Sequence, residues 1–255
     1  MFAVYKETRN KKQEAMHLRI GNTVITKKAK TNTYEIKNEA SPQLMKSIGD
    51  KASFEATDVM TMREYLKRVR HATELHAALH LVHDLGRQMQ ALIADGSGIA
   101  CIGIDDVLVI THRDSDAFVH ESINDMDSTL GDSRMDPQFL FLNDHLMFEL
   151  DDDGALIIDH ALPTPKGNKP HAFLSPELRV LLKPNAPLPQ SVHFKTIYHS
   201  AAQLIIYFLL NATDAEDAED AEDAEYLNPI KYTKLYWFLL RCLTPVSAER
   251  KYMYL

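Results

Sequence analysis

The reading of the fold turns on Phe173-Leu174-Ser175-Pro176-Glu177-Leu178. Serine before proline marks a helix start. Proline at the first helical position has its φ preset and lacks only an N–H that the helix would leave unbonded. A helix is therefore predicted over 175–182. Downstream, apolar runs predict helices over 198–210 and 233–243. Upstream, Pro163 to Pro170 reads as a loop. Short β-rich runs predict strands over 155–158, 146–149 and 139–142, with the turn Asp151-Asp152-Asp153-Gly154 between the first two.

Further toward the N-terminus, the polar stretch 111–137 has no sustained period and reads as a long surface loop. The run 99–110 is β-branched and apolar and ends in Val107-Leu108-Val109-Ile110, a predicted buried strand. Leu75, Leu79, Val82, Met89, Leu92 and Ile93 recur at spacings of three, four and seven, which predicts a helix over about 74–94 with that stripe inward. A helical period is expected from Thr57 onward. Ser41-Pro42 opens a further capped helix through Ile48, and strands are predicted over 17–20, 23–27 and 33–37, the first two joined at Gly21-Asn22. The class is α+β: a small β-rich lobe over 1–58, then a mainly helical lobe over 59–255.

Composition narrows the function classes. The chain has 255 residues and a net charge of −8, and four copies of Asp-Ala-Glu between Asp214 and Glu225 carry eight of its negative charges. The remainder is formally neutral, so the basic field needed for non-specific nucleic-acid binding is missing. That repeat, within a low-complexity loop over 213–226, has too few bulky apolar residues to join a core and reads as a solvated excursion. No apolar run approaches the ~18 residues of a membrane span. Cys101 and Cys242 form no C-x-x-C pair and no secretory leader is evident, so buried free thiols in a reducing, intracellular compartment are expected.

Four features in a fixed order carry a resemblance. They are the helix ending Leu85-Gly86-Arg87-Gln88-Met89-Gln90-Ala91-Leu92, the stretch Gly98 to Ile110, the Ser-Pro-Glu segment, and Leu239-Leu240-Arg241-Cys242-Leu243 followed by Glu249-Arg250. This order resembles the C-terminal half of a eukaryotic-type protein kinase: the helix before the catalytic loop, that loop and its strand, the end of the activation segment, and a late helix with its arginine. Phe-Leu-Ser-Pro-Glu-Leu and the phrase from Thr233 to Leu243 are especially similar to kinase-like proteins of large nucleocytoplasmic DNA viruses. The resemblance covers roughly residues 55–255. It implies a kinase-like fold, with Glu177 paired to Arg250 as a structural ion pair.

Phosphoryl transfer needs a lysine for the phosphates, an asparagine and an aspartate for magnesium, and an aspartate to orient the acceptor hydroxyl. Aligned on the strand Val107-Leu108-Val109, Asp106 stands where the asparagine belongs, beside Asp105, and Cys101 stands where the acceptor-orienting aspartate belongs. A thiol, soft and with a free pKa of about 8.5, is a poor substitute. A literal His112-Arg113-Asp114 follows the strand instead of preceding it, and Asp116 and Val119 stand where lysine and asparagine should follow, so it reads as a solvated turn. The magnesium aspartate has two candidates, Asn143 (with Asp144 beside it) and Asp159, and the sequence leaves both open. No glycine-rich loop exists, because Gly21 is the only glycine before Gly49. Lys27 and Lys37 are the weak lysine candidates, with Glu55 or Glu39 as partner. His76, His80 and His83 share one helical face, but Ala77 stands where a zinc-protease motif requires glutamate, so solvent-facing or core-edge histidines are the expectation.

The resemblance and the vacant positions together imply a catalytically inactive, kinase-like binding or scaffold protein. It would need neither cofactor nor metal and would have another protein as partner. Its setting by resemblance is viral, in the host cytoplasm or the virion. The alternative is a divergent serine/threonine kinase using Mg-ATP through Asp105, Asp106 and Asp159. A third reading is an unrelated fold whose helical half is an interaction module.

Overall fold

The computed structural model describes residues 17–28, 31–69, 75–112, 137–162, 173–182, 186–210, 227–228 and 230–252. Residues 113–136 of the predicted long loop, with Arg113-Asp114, lie outside this set, as do the proline-rich loop and the acidic repeat. The architecture is α+β, and every strand pairing among the described residues is antiparallel. Strands β1 (His17–Ile20), β2 (Thr23–Lys27) and β3 (Thr33–Lys37) form a meander. Helix α1 (Pro42–Ile48) follows, capped by the Ser41 side chain, which accepts from Leu44 N. The chain then returns to the meander as its fourth strand, β4 (Ser53–Glu55).

A strand, not a helix, follows Thr57: β5 (Asp58–Thr61) leads straight into helix α2 (Met62–Arg68). Thr61 caps α2 in a reciprocal box with Glu64, the Thr-x-x-Glu pattern that satisfies two otherwise orphan N–H groups. Helix α3 (Leu75–Ala94) comes next, and the single strand expected over 99–110 is two. Strand β6 (Ser97–Ile99) and strand β7 (Val107–Thr111) are separated by an irregular loop, 100–106. Strands β8 (Gln138–Phe141), β9 (Met147–Glu149) and β10 (Ala155–Ile158) follow, with a 3-10 turn over Asp144–Leu146. Helix α4 (Pro176–Leu181), strand β11 (Gln190–His193), helix α5 (Thr196–Leu210) and helix α6 (Lys234–Cys242) complete the described elements.

The alternation of two short runs organises these elements into layers. β7 is paired with β5 on one side and β8 on the other. Successive side chains on a strand face opposite ways. Leu108, Ile110, Leu140 and Leu142 therefore pack with Leu18, Ile20, Ile25, Tyr34 and Ile36 of the N-terminal sheet. Val107, Val109, Phe139 and Phe141 pack with the helices. The middle sheet is covered on both faces, which is why 107–110 is continuously apolar. The N-terminal sheet thus closes its core with residues from beyond the expected lobe boundary.

Helix α3 is the spine of the helical layer, but its buried stripe is rotated from the one expected. Ala77, Ala78, Leu81, Val82, Leu85, Gly86, Gln88, Met89 and Leu92 are buried, whereas Leu75 is exposed and Leu79 and Ile93 are half-buried. Small residues carry part of the contact, so large apolar residues alone mark the wrong centre. Two polar residues of α3 bond to β8, which among the described residues has no strand partner on that side. Phe139 N donates to Asp84 Oδ2 (2.9 Å), Phe141 N donates to Gln88 Oε1 (2.9 Å), and Gln88 Nε2 donates to Phe141 O (2.8 Å). An edge that would otherwise present bare backbone is closed by side chains one helical turn apart. Tyr252 fastens the C-terminal segment by donating to Val82 O (2.7 Å) and packing edge-on against Phe238. Cys101 and Cys242 are free and buried. No helix among the described residues is long and apolar enough to cross a membrane.

Candidate functional site

The loop 100–106 is held from three sides. Ile102 N donates to Ser200 Oγ of α5 (2.8 Å), and Phe173 N donates to Ile102 O (3.0 Å), which joins the loop to the residues just before α4. From within the loop, Gly103 N donates to Asp106 Oδ2 (2.6 Å). The other carboxylate oxygen, Oδ1, accepts from Asn143 Nδ2 (2.6 Å). Two sequence candidates, Asp106 and Asn143, are therefore in direct contact. Asp106 is buried, and burial pushes its carboxyl up to about 7 against the lowering effect of those two hydrogen bonds. Its neighbour Asp105 points elsewhere, forming a two-pronged ion pair with Arg63 of α2 (2.7 and 2.9 Å). Adjacent carboxylates are thus separated, one into a buried bond network and one onto a cation.

Cys101 is fully buried, and burial, then the charge of Asp106, pushes its thiol far up. It stays protonated at neutral pH and cannot serve as a base. Above Asn143 lies the turn between β1 and β2. Gly21 has φ 57°, and a Cβ there would come within 2.6 Å of Asp144 Oδ1 and 2.7 Å of Asn143 Oδ1, so only glycine fits. Asn22 donates to Asp144 from both its backbone N and its side-chain Nδ2 (2.9 Å each). Buried Thr23 donates from Oγ1 to Leu142 O (2.7 Å) and accepts from Asn38 Nδ2 (2.9 Å). The N-terminal turn is in direct hydrogen-bonded contact with the 142–144 segment. Sequence reasoning identified Gly21-Asn22 as a turn but missed Thr23 and Asn38, whose roles depend on contacts more than a hundred residues away for Thr23.

The remaining candidates lie apart from this centre. Asp159 is exposed and pairs with its neighbour His160 (2.6 Å), whose ring stacks on Phe148. Among the described residues it shares no hydrogen bond with Asp106 or Asn143. Lys27 lies over the Tyr34 ring (5.4 Å), and Lys37 reaches Glu35 (3.6 Å). Glu35 also holds Lys28 (2.7 Å), while Glu39 and Glu55 are exposed. The rings of His76 and His80 meet edge-on at 4.7 Å. Among the described residues no group of three or more His, Cys, Asp or Glu is arranged to hold a metal ion.

Glu177 and Arg250 come together. Arg250, with 0% of its side chain exposed, donates to both carboxylate oxygens, the Nη2–Oε2 distance being 2.9 Å, and its Nε and Nη2 also donate to Thr244 O (2.8 Å) and Pro245 O (3.1 Å). Burial works to raise the Glu177 carboxyl, but the bonds and charge of Arg250 outweigh it and hold the carboxyl below its ordinary range. Ser175 Oγ and Thr196 Oγ1 are hydrogen-bonded beside this pair, tying the start of α4 to the start of α5. Nearby on α5, buried His199 is pushed down to about 4 by burial, then by the Arg250 charge, and its Nδ1 has no hydrogen-bond partner among the described residues. Ser200 and His199 carried no sequence signal, since both sit inside an apolar helix. No protein-family model matches the chain, and no curated protein matches it.

Proposed function

We propose that this chain is a kinase-like, catalytically inactive protein that acts as a binding or scaffold component, with another protein as its partner. The observation that carries the reading is the condition of Asp106 and Asn143. Both Asp106 oxygens are taken by internal N–H donors, and the Gly21-Asn22 turn rests on Asn143 and Asp144. A nucleotide-binding version of this centre would need free oxygens for magnesium, and a backbone cradle that leaves space for phosphates. The Cys101 thiol, buried and protonated, supports the same reading, because it cannot take the acceptor proton. The Glu177–Arg250 pair supports the kinase-like frame, being the contact which the resemblance implies.

By that resemblance the setting is a virus-infected cell or a virion. The alternative, a divergent Mg-ATP-dependent kinase, finds support in the contact between Asp106 and Asn143, since both side chains could turn toward a metal if the N-terminal turn lifted. Transfer of a labelled γ-phosphoryl group to a protein acceptor separates the two. The scaffold reading predicts none, whereas transfer that disappears in Asp106→Ala or Asp159→Ala would replace it with the kinase.

A further inference from the structure

Helix α6 begins in an unusual way. Its first turn holds no acidic residue, although the N-terminal end of a helix favours negative charge. Lys234 stands there instead, with Lys231 three residues earlier and its ammonium over the Tyr232 ring (5.5 Å), and neither lysine has an ion-pair partner among the described residues. Two aromatic rings accompany them. Tyr232 directly precedes the capping residue Thr233, and Trp237 is the fourth helical residue, the two positions whose side chains ordinarily pack together to fix the entry of the chain into a helix. Here they do not. Tyr232 has φ 68°, a left-handed conformation which a non-glycine residue adopts only at a cost, and it is 77% exposed. Trp237 is 50% exposed and meets the Tyr236 ring edge-on at 5.1 Å, with no ring contact to Tyr232 among the described residues. The sequence thus forgoes a local apolar contact and displays two large aromatic rings beside two lysines, Tyr232 between Lys231 and Lys234 and Trp237 three residues beyond.

We infer that this end of α6, formed by Lys231, Tyr232, Lys234 and Trp237, is a docking surface for an acidic segment of a partner protein that carries a bulky apolar side chain among its carboxylates. The inference rests on the scaffold reading and gives it a surface and a partner chemistry. Exposed tyrosine and tryptophan are the residues that most often anchor protein interfaces, and the lysines choose an acidic occupant by charge. The chain's own Asp-Ala-Glu repeat matches only half of this surface. It offers carboxylates to the lysines, but has no apolar side chain larger than alanine to cover the rings.

Trp237 is the single tryptophan of the chain, so its fluorescence reports on this surface directly. The full chain is titrated with a synthetic peptide of alternating glutamate and leucine, and in parallel with an Asp-Ala-Glu peptide of equal charge. The glutamate–leucine peptide should blue-shift the Trp237 emission saturably and bind less well as salt is added. The Asp-Ala-Glu peptide should leave the emission unchanged. Equal responses to both peptides mean attraction by charge alone and overturn the inference, as does no response to either. An emission that shifts with chain concentration in the absence of peptide assigns the surface to a second copy and also overturns it. Tyr232→Gly should keep or raise the melting temperature, because glycine tolerates the left-handed backbone, while weakening peptide binding roughly tenfold. Unaltered binding by that variant contradicts the assignment. Phosphoryl transfer is measured separately: transfer by a chain that still binds the peptide ends the scaffold reading and leaves the surface intact, and an inert surface without transfer does the reverse.

Discussion

Arg250 is a cation with no exposed side-chain surface, compensated by one carboxylate and two backbone carbonyls. Removing the carboxylate charge leaves the guanidinium buried and unpaired, so Glu177→Gln should cost about 3–5 kcal/mol in urea unfolding, and Glu177→Asp should recover part of that loss. Asp106 makes a prediction of opposite character. Its carboxyl is raised from 3.8 in the unfolded chain to about 7 in the folded one, so the stability it contributes is complete below 3.8 and is lost as the pH climbs through about 7. Asp106→Asn cannot ionise. Its stability relative to the unaltered protein should therefore rise with pH across that window, and a constant difference would show that Asp106 does not titrate there. The contact of Glu177 with Arg250 was expected only from the resemblance, which implied that pairing. Asp106 was legible as a position, but its hydrogen bonds to Gly103 and Asn143 were not, because they depend on how a loop turns back.

At the level of elements, helix α3 and strand β8 depend on each other. Gln88 supplies an acceptor for Phe141 N and a donor for Phe141 O, and Asp84 supplies an acceptor for Phe139 N. Gln88→Met keeps side-chain volume but leaves both Phe141 groups buried without partners, which should destabilise by about 1–3 kcal/mol for each unsatisfied group. Amide exchange at Phe141 should accelerate more than at Val109 on the inner strand, and equal acceleration at both would argue against a local edge effect. Strong helix starts were readable: Ser41-Pro42, Ser175-Pro176 and Thr233 all begin helices within a residue or two of expectation. The Thr61-x-x-Glu64 box is an equally strong start signal, but the strand that ends at Thr61 is only four residues long, too short to show alternation and so to separate it from the helical period expected after Thr57. The rotated stripe of α3 has a different cause. Ala77, Ala78 and Gly86 lie on the buried face, and residues this small leave little mark in a hydrophobic pattern despite allowing close approach.

The molecule as a whole is built around the middle sheet of β5, β7 and β8, which shares one face with the N-terminal sheet and the other with the helices. The sequence suggested two lobes because short β-rich runs give way to a helical period after Thr57. A shared core cannot be seen that way, since Leu108, Ile110, Leu140 and Leu142 look like any buried strand residues until their partners are known. Asn22 and Thr23 bond to the 142–144 segment, and Asp106 spends both oxygens internally; the scaffold reading proposed above takes this to leave no place for a nucleotide. Calorimetric titration of the full chain with ATP in the presence of magnesium tests this most directly. No saturable heat of binding is predicted, and saturable, magnesium-dependent binding that is lost in Asp106→Ala would contradict it.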